Sequence, residues 1–234
     1  MFSHRETRPE RIDTGDYTPE EYAAFLREIR FINRHLGDRR ALRKVFLPEI
    51  EKLQAAEFSL LDVGAGTGEL LREVADLARA NRKTAHLVGL DLNEHSAREI
   101  AATSGGRPEI AAVRGDAFML PFADDAFDYS MCSLFTHHLS DEQIPLVLAE
   151  ISRVARRGIF VIDLERSASA WVLYQLFCFA FRMSPLVRQD GSLSIRKGFT
   201  CDEMRRKAEA AGLKYVQVRK HAPFRLVVVG SRTT

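Results

Sequence analysis

The chain has only three cysteines, Cys132, Cys178 and Cys201. The number is odd and the spacing is not that of metal ligands. Neither a closed disulfide framework nor a thiolate metal site is expected, and a reducing cytoplasm is. No apolar run reaches the roughly 20 residues that a membrane-spanning helix needs. The first residues, Met1-Phe2-Ser3-His4-Arg5-Glu6, lack the apolar stretch of a secretory signal. A large charge of one sign is also missing. Lys and Arg number 34 against 32 Asp and Glu, a formal +2, with arginines scattered among acids. That argues against the basic stripe of a nucleic-acid-binding protein. Internal repeats and low-complexity segments are absent, and 234 residues suffice for one core with accessory elements.

What the chain does have is concentrated in Leu60-Leu61-Asp62-Val63-Gly64-Ala65-Gly66-Thr67-Gly68. An apolar run ends in an acid, glycines follow at every second position, and a helix pattern begins at Glu69. Glycines let the backbone turn with positive φ and let a ligand lie on the main chain. Free N–H groups at a helix start attract an anionic group. The stretch reads as a cradle for a nucleotide or nucleoside cofactor.

Around it the pattern alternates. Strands are expected at 58–63, 86–91, 110–114, 127–132 and 158–164, with helices at 67–81, 94–103 and 141–155 between them, which implies a parallel sheet covered on both faces. Residues 1–17 read as a mobile or loosely docked tail. Thr18-Pro19-Glu20-Glu21 starts a helix to about 36, with Tyr22, Phe25, Leu26, Ile29 and Ile32 or Asn33 on one face, and a second helix spans about 38–53. Residues 168–181 are apolar on every side and therefore need cover on every side. Pro185 and Gly191 are expected to break the segment after them. A capping-box pattern at Thr200 starts another helix, and 214–218 and 224–229 read as a final antiparallel hairpin.

Acids recur where ligands bind open α/β sheets, at the carboxyl ends of the strands. Asp91 closes the second strand and can accept from ribose hydroxyls. Asp116 closes the third and can accept from an exocyclic amine. Cys132 closes the fourth. A dinucleotide fingerprint would place its third glycine at position 69, but Glu69 stands there and the glycine is Gly68.

With these acids at these strand ends, the sequence resembles the class I S-adenosylmethionine-dependent methyltransferases, in their UbiE-like, type 11 branch. The resemblance covers about 58–164. It rests on 60–68, on 88–93, on 115–122 with Leu120-Pro121-Phe122, and on Phe127-Asp128-Tyr129. It implies a Rossmann-like, doubly wound sheet of seven strands, mostly parallel with an antiparallel C-terminal edge hairpin. An N-terminal tail and helical cap (1–56) would precede the methyltransferase core (57–234), which carries a lid insertion at about 167–198. It implies S-adenosyl-L-methionine as cofactor. Asp62, Gly64, Ala65, Gly66, Thr67 and Gly68 would hold its methionine part, Asp91 the ribose, Leu92 and Asp116 with Ala117 the adenine, and Cys132 would border the methionine end. Arg30 and Asn33, on the capping helix, would reach the cofactor carboxylate.

The acceptor side is read from residue chemistry. His titrates near neutrality, and Phe135-Thr136-His137-His138 follows the fourth strand. His138, with His137 close behind, is the expected general base. Asp163 is expected to orient the substrate or a histidine. Trp171, Tyr174 and Phe135 are expected to form a greasy, water-excluding substrate wall. The acceptor is then a small aromatic or lipophilic molecule, such as a phenol, quinol or polyketide-like ring of secondary metabolism. O-methylation is favoured over C-methylation. Adjacent histidines seldom face one ion, so no metal is expected. A monomer or homodimer touching at most a membrane surface is expected, with no nucleic-acid partner. The alternative is a non-catalytic cofactor-binding subunit.

Overall fold

The computed structural model describes residues 2–35 and 37–231, without the side chains at 26, 30 and 33–35. Its seven strands are β1 (Glu57–Val63), β2 (Thr84–Asp91), β3 (Ile110–Arg114), β4 (Phe127–Ser133), β5 (Ala155–Leu164), β6 (Tyr215–His221) and β7 (Arg225–Ser231). They form one sheet in the order β3-β2-β1-β4-β5-β7-β6. The first five are parallel, and β7 runs antiparallel to both β5 and β6. The order reverses between β1 and β4, which opens a crevice at the carboxyl ends of those strands.

The helices are α1 (Arg11–Thr14), α2 (Pro19–His35), α3 (Asp38–Lys52), α4 (Glu69–Ala80), α5 (Glu94–Thr103), α6 (Gln143–Arg153), α7 (Ala168–Ala180), α8 (Pro185–Lys197) and α9 (Cys201–Ala210). One core layer joins α6 and α9 to the sheet through Ile144, Leu148, Ile151 and Met204. On the other face α3 and α4 contribute Leu42, Phe46, Ile50, Leu71 and Val74. Phe46 meets Phe58, Tyr129 and Phe160 edge-on at 5.2–5.7 Å between ring centroids, a favoured aromatic geometry. Ion pairs to two buried carboxylates tie α3 down. Glu73 of α4 takes Arg39 and Arg43, and Asp38 takes Arg225 of β7.

Both expected capping boxes form. Glu21 N donates to Thr18 Oγ1 at 3.2 Å while Thr18 N donates to Glu21 Oε2 at 2.9 Å. Thr200 and Glu203 repeat the motif at α9.

Four expectations fail, each for a physical reason. Pro185 does not break the chain: it sits in the first turn of α8, behind a Ser184 cap, where a missing N–H costs nothing. Gly191 does not break it either. The helix continues through it, because Tyr174 lies across that backbone and a Cβ at Gly191 would collide with its hydroxyl. Nor is α7 covered all round. Ala170, Tyr174 and Cys178 are buried, while Leu176 and Phe179 are 57% and 83% exposed.

The N-terminal segment, expected as a loose tail, is held closely. Arg5 Nε donates to Lys197 O at 2.8 Å, Arg166 Nε donates to Phe2 O at 3.0 Å, and Asp190 accepts from the N–H groups of Arg11 and Ile12.

Candidate functional site

The loop from β1 to α4 is built to leave its main chain open. Gly64, Gly66 and Gly68 have φ of 71°, 54° and 73°, which a side chain would strain. Gly64 is needed a second time, since a Cβ there would fall 2.6 Å from Phe135 Cδ2. The N–H groups of Gly64 and Ala65 donate to Leu90 O at 2.8 and 3.1 Å, fixing the loop against β2. Asp91 then accepts from Gly66 N and Asn93 N, each at 2.9 Å.

Asp62 lies at the base of this loop, 2% exposed. Burial and the neighbouring Asp91 push its carboxyl well above the ordinary range. Its Oδ1 has no partner among the described residues. An unpartnered buried acceptor costs free energy that a bound donor recovers. Asp62 and Gly64–Thr67 line a cavity of about 630 Å³. The ammonium of the methionine end of S-adenosylmethionine is a donor of the required kind, and the open glycine backbone leaves room for it. The residues present therefore fit this cofactor.

Leu92, 65% exposed, and Asp116, whose Oδ1 accepts from Phe118 N at 2.9 Å, stand at the same sheet edge but outside the cavity wall. Ala117 is buried next to Asp116, and Cys132 is buried on β4; neither lines the cavity. The Cys132 thiol is pushed up by burial and by the carboxylates of Asp163 and Asp62. The backbones of Arg30 and Asn33 belong to α2, but their side chains lie outside the described residues.

The same cavity is lined by a polar corner on the 3-10 turn Thr136–His138. His137 is buried, with Nδ1 at 2.7 Å from Asp163 Oδ1. Asp163, fully buried at the end of β5, also accepts from Thr136 Oγ1 at 2.5 Å, His137 N at 3.1 Å and Leu164 N at 2.8 Å. Burial alone would raise its pKa. The facing His137 and these donors outweigh that and hold it at about 2. His138 has a different setting. Its Nδ1 is 3.1 Å from Asp13 Oδ2 and 4.0 Å from Glu10 Oε1, while Lys197 Nζ donates to Glu10 at 3.1 Å. Burial lowers the His138 pKa, but the Asp13 hydrogen bond and the charges of Glu10 and Asp13 raise it further than burial and Lys197 lower it.

An apolar part of the wall comes from Phe25, Ile29 and Ile32 of α2 with Leu173, Tyr174 and Phe177 of α7, while Arg39, Glu69, Glu165 and Arg225 line the cavity elsewhere. Of the residues expected on the acceptor side, His137, His138 and Tyr174 reach the cavity. Tyr174 also donates its hydroxyl to Val187 O at 2.8 Å. Asp163 stands behind His137, Phe135 beneath Gly64, and Trp171 packs into the α7–α8 layer rather than into the cavity. Sequence reasoning missed Glu10, Asp13, Thr136 and Lys197. Thr136 was the nearest to being found, beside the histidines. The other three come from segments with no motif.

Residues 60–158 match a family model described as a methyltransferase domain. Demethylmenaquinone methyltransferase of Bacillus subtilis (strain 168) is 36% identical over 109 residues, covering 46% of this chain and 45% of that protein. Ubiquinone/menaquinone biosynthesis C-methyltransferase UbiE of Paracoccus denitrificans is 31% identical over 135 residues, covering 56% and 52%. The chain thus spans about half the length of these relatives. Among solved structures, magnesium protoporphyrin IX methyltransferase of Synechocystis PCC 6803, with S-adenosylhomocysteine (SAH) bound, superposes with a TM-score of 0.59 at 14% identity over 83% of each chain. A methyltransferase from Aquifex aeolicus gives 0.59 at 16% identity over 85% of this chain and 95% of that one. Glycine cradle, strand-end acids and sheet order agree with these matches: residues 60–158 are similar to a methyltransferase domain, their sequence resembles the UbiE-type methyltransferases, and the fold is that of S-adenosylmethionine-dependent methyltransferases.

Proposed function

We propose that this chain transfers a methyl group from S-adenosylmethionine to a small aromatic or lipophilic acceptor bearing a weakly acidic hydroxyl, with His137 as general base. The observation that carries the reading is that two features line one cavity. The cradle at Asp62 and the glycine loop supplies part of its wall, and His137, backed by Asp163, supplies another part.

When bound, the cofactor supplies a methyl group on a positively charged sulfur, already activated for in-line displacement. The chain's work is then to hold the two reactants in line, exclude water and take one proton. Asp62 and the Gly64–Gly68 main chain would hold the methionine end. Asp91 would meet the ribose, and Leu92 with Asp116 the adenine. Asp163 stays ionised and accepts from His137 Nδ1–H, which leaves Nε2 as the basic nitrogen. His138, with its raised pKa and two facing acids, serves better as a positive charge beside a developing oxyanion than as a base. The apolar wall of α2 and α7 favours an aromatic or alkyl body on the acceptor. The quinone precursors in the relatives' names are of that chemical type. A positioned base with a carboxylate behind it is most useful for a hydroxyl, so O-methylation is favoured.

The test has two stages. SAH should raise the thermal midpoint, and absence of any shift overturns the cofactor reading. Labelled donor should then transfer methyl to one of a panel of phenols and quinols with alkyl chains. If His137→Ala turns over as fast as the parent chain, the base assignment fails and the methyltransferase reading stands.

A further inference from the structure

We infer that the outer face of α7 lies on the surface of an anionic lipid bilayer, so that the apolar end of the cavity opens toward lipid. This extends the proposed function, and rests on it only for the molecules that would pass through that opening.

The face is unusual for a helix in water. Residues 168–180 contain no charged side chain. Val172, Leu176 and Phe179 recur at helical spacing, all exposed, and Leu173 and Phe181 extend the stripe. The opposite face, with Ala170, Tyr174 and Cys178, is the one that packs inward. No helix is long and apolar enough to cross a membrane among the described residues, and α7 with its 13 residues could only lie along one.

Charge selects the occupant. No Asp or Glu occurs from 166 to 189, while Arg182 and Arg188 follow the stripe and are exposed. Glu28 of α2 approaches this segment, where its carboxylate accepts from Ser184 N at 2.8 Å. Apolar side chains beside cations, with no acid in the segment itself, complement a lipid surface whose headgroups are anionic. Position points the same way. Leu173 is 51% exposed and also lines the cavity. Whatever covers α7 therefore adjoins the cavity wall. A folded protein there would obstruct that wall, whereas a bilayer would feed it apolar molecules.

The full chain should sediment with vesicles of phosphatidylcholine containing roughly 30% phosphatidylglycerol, and less with phosphatidylcholine alone. Leu176→Asp/Phe179→Asp should lower the bound fraction about tenfold or more. Arg182→Glu/Arg188→Glu should weaken binding to anionic vesicles selectively. None of the four residues touches the cradle, so SAH should shift the midpoint of every variant equally. That separates failure of this inference from failure of the proposed function and shows that the variants fold. Should the double aspartate variant not fold, Leu176→Ser takes its place. The inference is overturned if the parent chain stays in solution with both vesicles, or if the aspartate variant sediments equally well. It is also overturned if the parent chain is a dimer that those substitutions dissociate, since a second copy would then cover the face.

Discussion

The two sides of the cavity are built differently. The cofactor part is made of main chain: the loop of three left-handed glycines with its amide N–H groups, Asp62 at the wall and Asp91 holding the loop from behind. The acceptor part is made of side chains: Glu10, His137, His138 and Tyr174 at the wall, with Asp13, Asp163 and Lys197 paired to them. A backbone-built site tolerates little local change, because a Cβ at Gly64 collides with Phe135. A side-chain-built site can be altered one group at a time, provided the segments that deliver the groups stay docked. The first side is suited to one unchanging ligand and the second to an acceptor that differs from enzyme to enzyme.

The largest effect that would sharpen this contrast is on rate. His137→Ala should reduce turnover by about 10²–10⁴-fold, with SAH affinity, read by calorimetry, unchanged. A parallel loss of affinity would show that the two sides are not separable. Next comes stability. Arg225→Leu leaves Asp38 buried and unpaired, and should cost about 3–5 kcal/mol in a denaturant melt. A cost near zero would mean that packing and the Arg39 and Arg43 pairs with Glu73 hold α3 without this pair. Third, Asp91→Ala should weaken SAH about 10–100-fold, as loss of hydrogen bonds to a charged group does, while leaving the His137–Asp163 pair intact.

The smallest effect concerns pH. A His138 pKa raised in the folded chain gives stabilisation that is complete below the unfolded value of about 6.5 and is lost as pH rises through the folded value. The group is partly solvent-exposed, so the contribution should stay under about 1 kcal/mol. Glu10, Asp13 and Lys197 face it, and the first two belong to the N-terminal segment. Amide exchange at residues 11–16, corrected for intrinsic rate, should therefore quicken as pH rises above the unfolded value of about 6.5 and through the raised folded value. In His138→Gln it should not.

The same contrast explains how much could be read from sequence. The cradle was legible because its constraint is local: Gly64, Gly66 and Gly68 report their own φ values, and Asp62 and Asp91 stand at strand ends fixed by alternation. Helix starts at Thr18 and Thr200 were legible for the same reason. Gly191 and Pro185 were misread because their meaning depends on partners. One lies under a tyrosine of the preceding helix, the other stands behind a serine cap. Lys197 and Glu10 pair across 187 positions, and no periodicity in either segment foretells it. An all-round apolar pattern in α7 stated that cover was needed but not that one face would be left without it among the described residues.

One consequence of the orphaned oxygen of Asp62 remains. Under the proposed function its partner would be the cofactor's ammonium, which methyl transfer leaves untouched. Spent and fresh cofactor carry that group alike, so this oxygen would hold both. Inhibition by the demethylated product would then follow from the way the cradle is made, and turnover would depend on how quickly the surroundings remove that product.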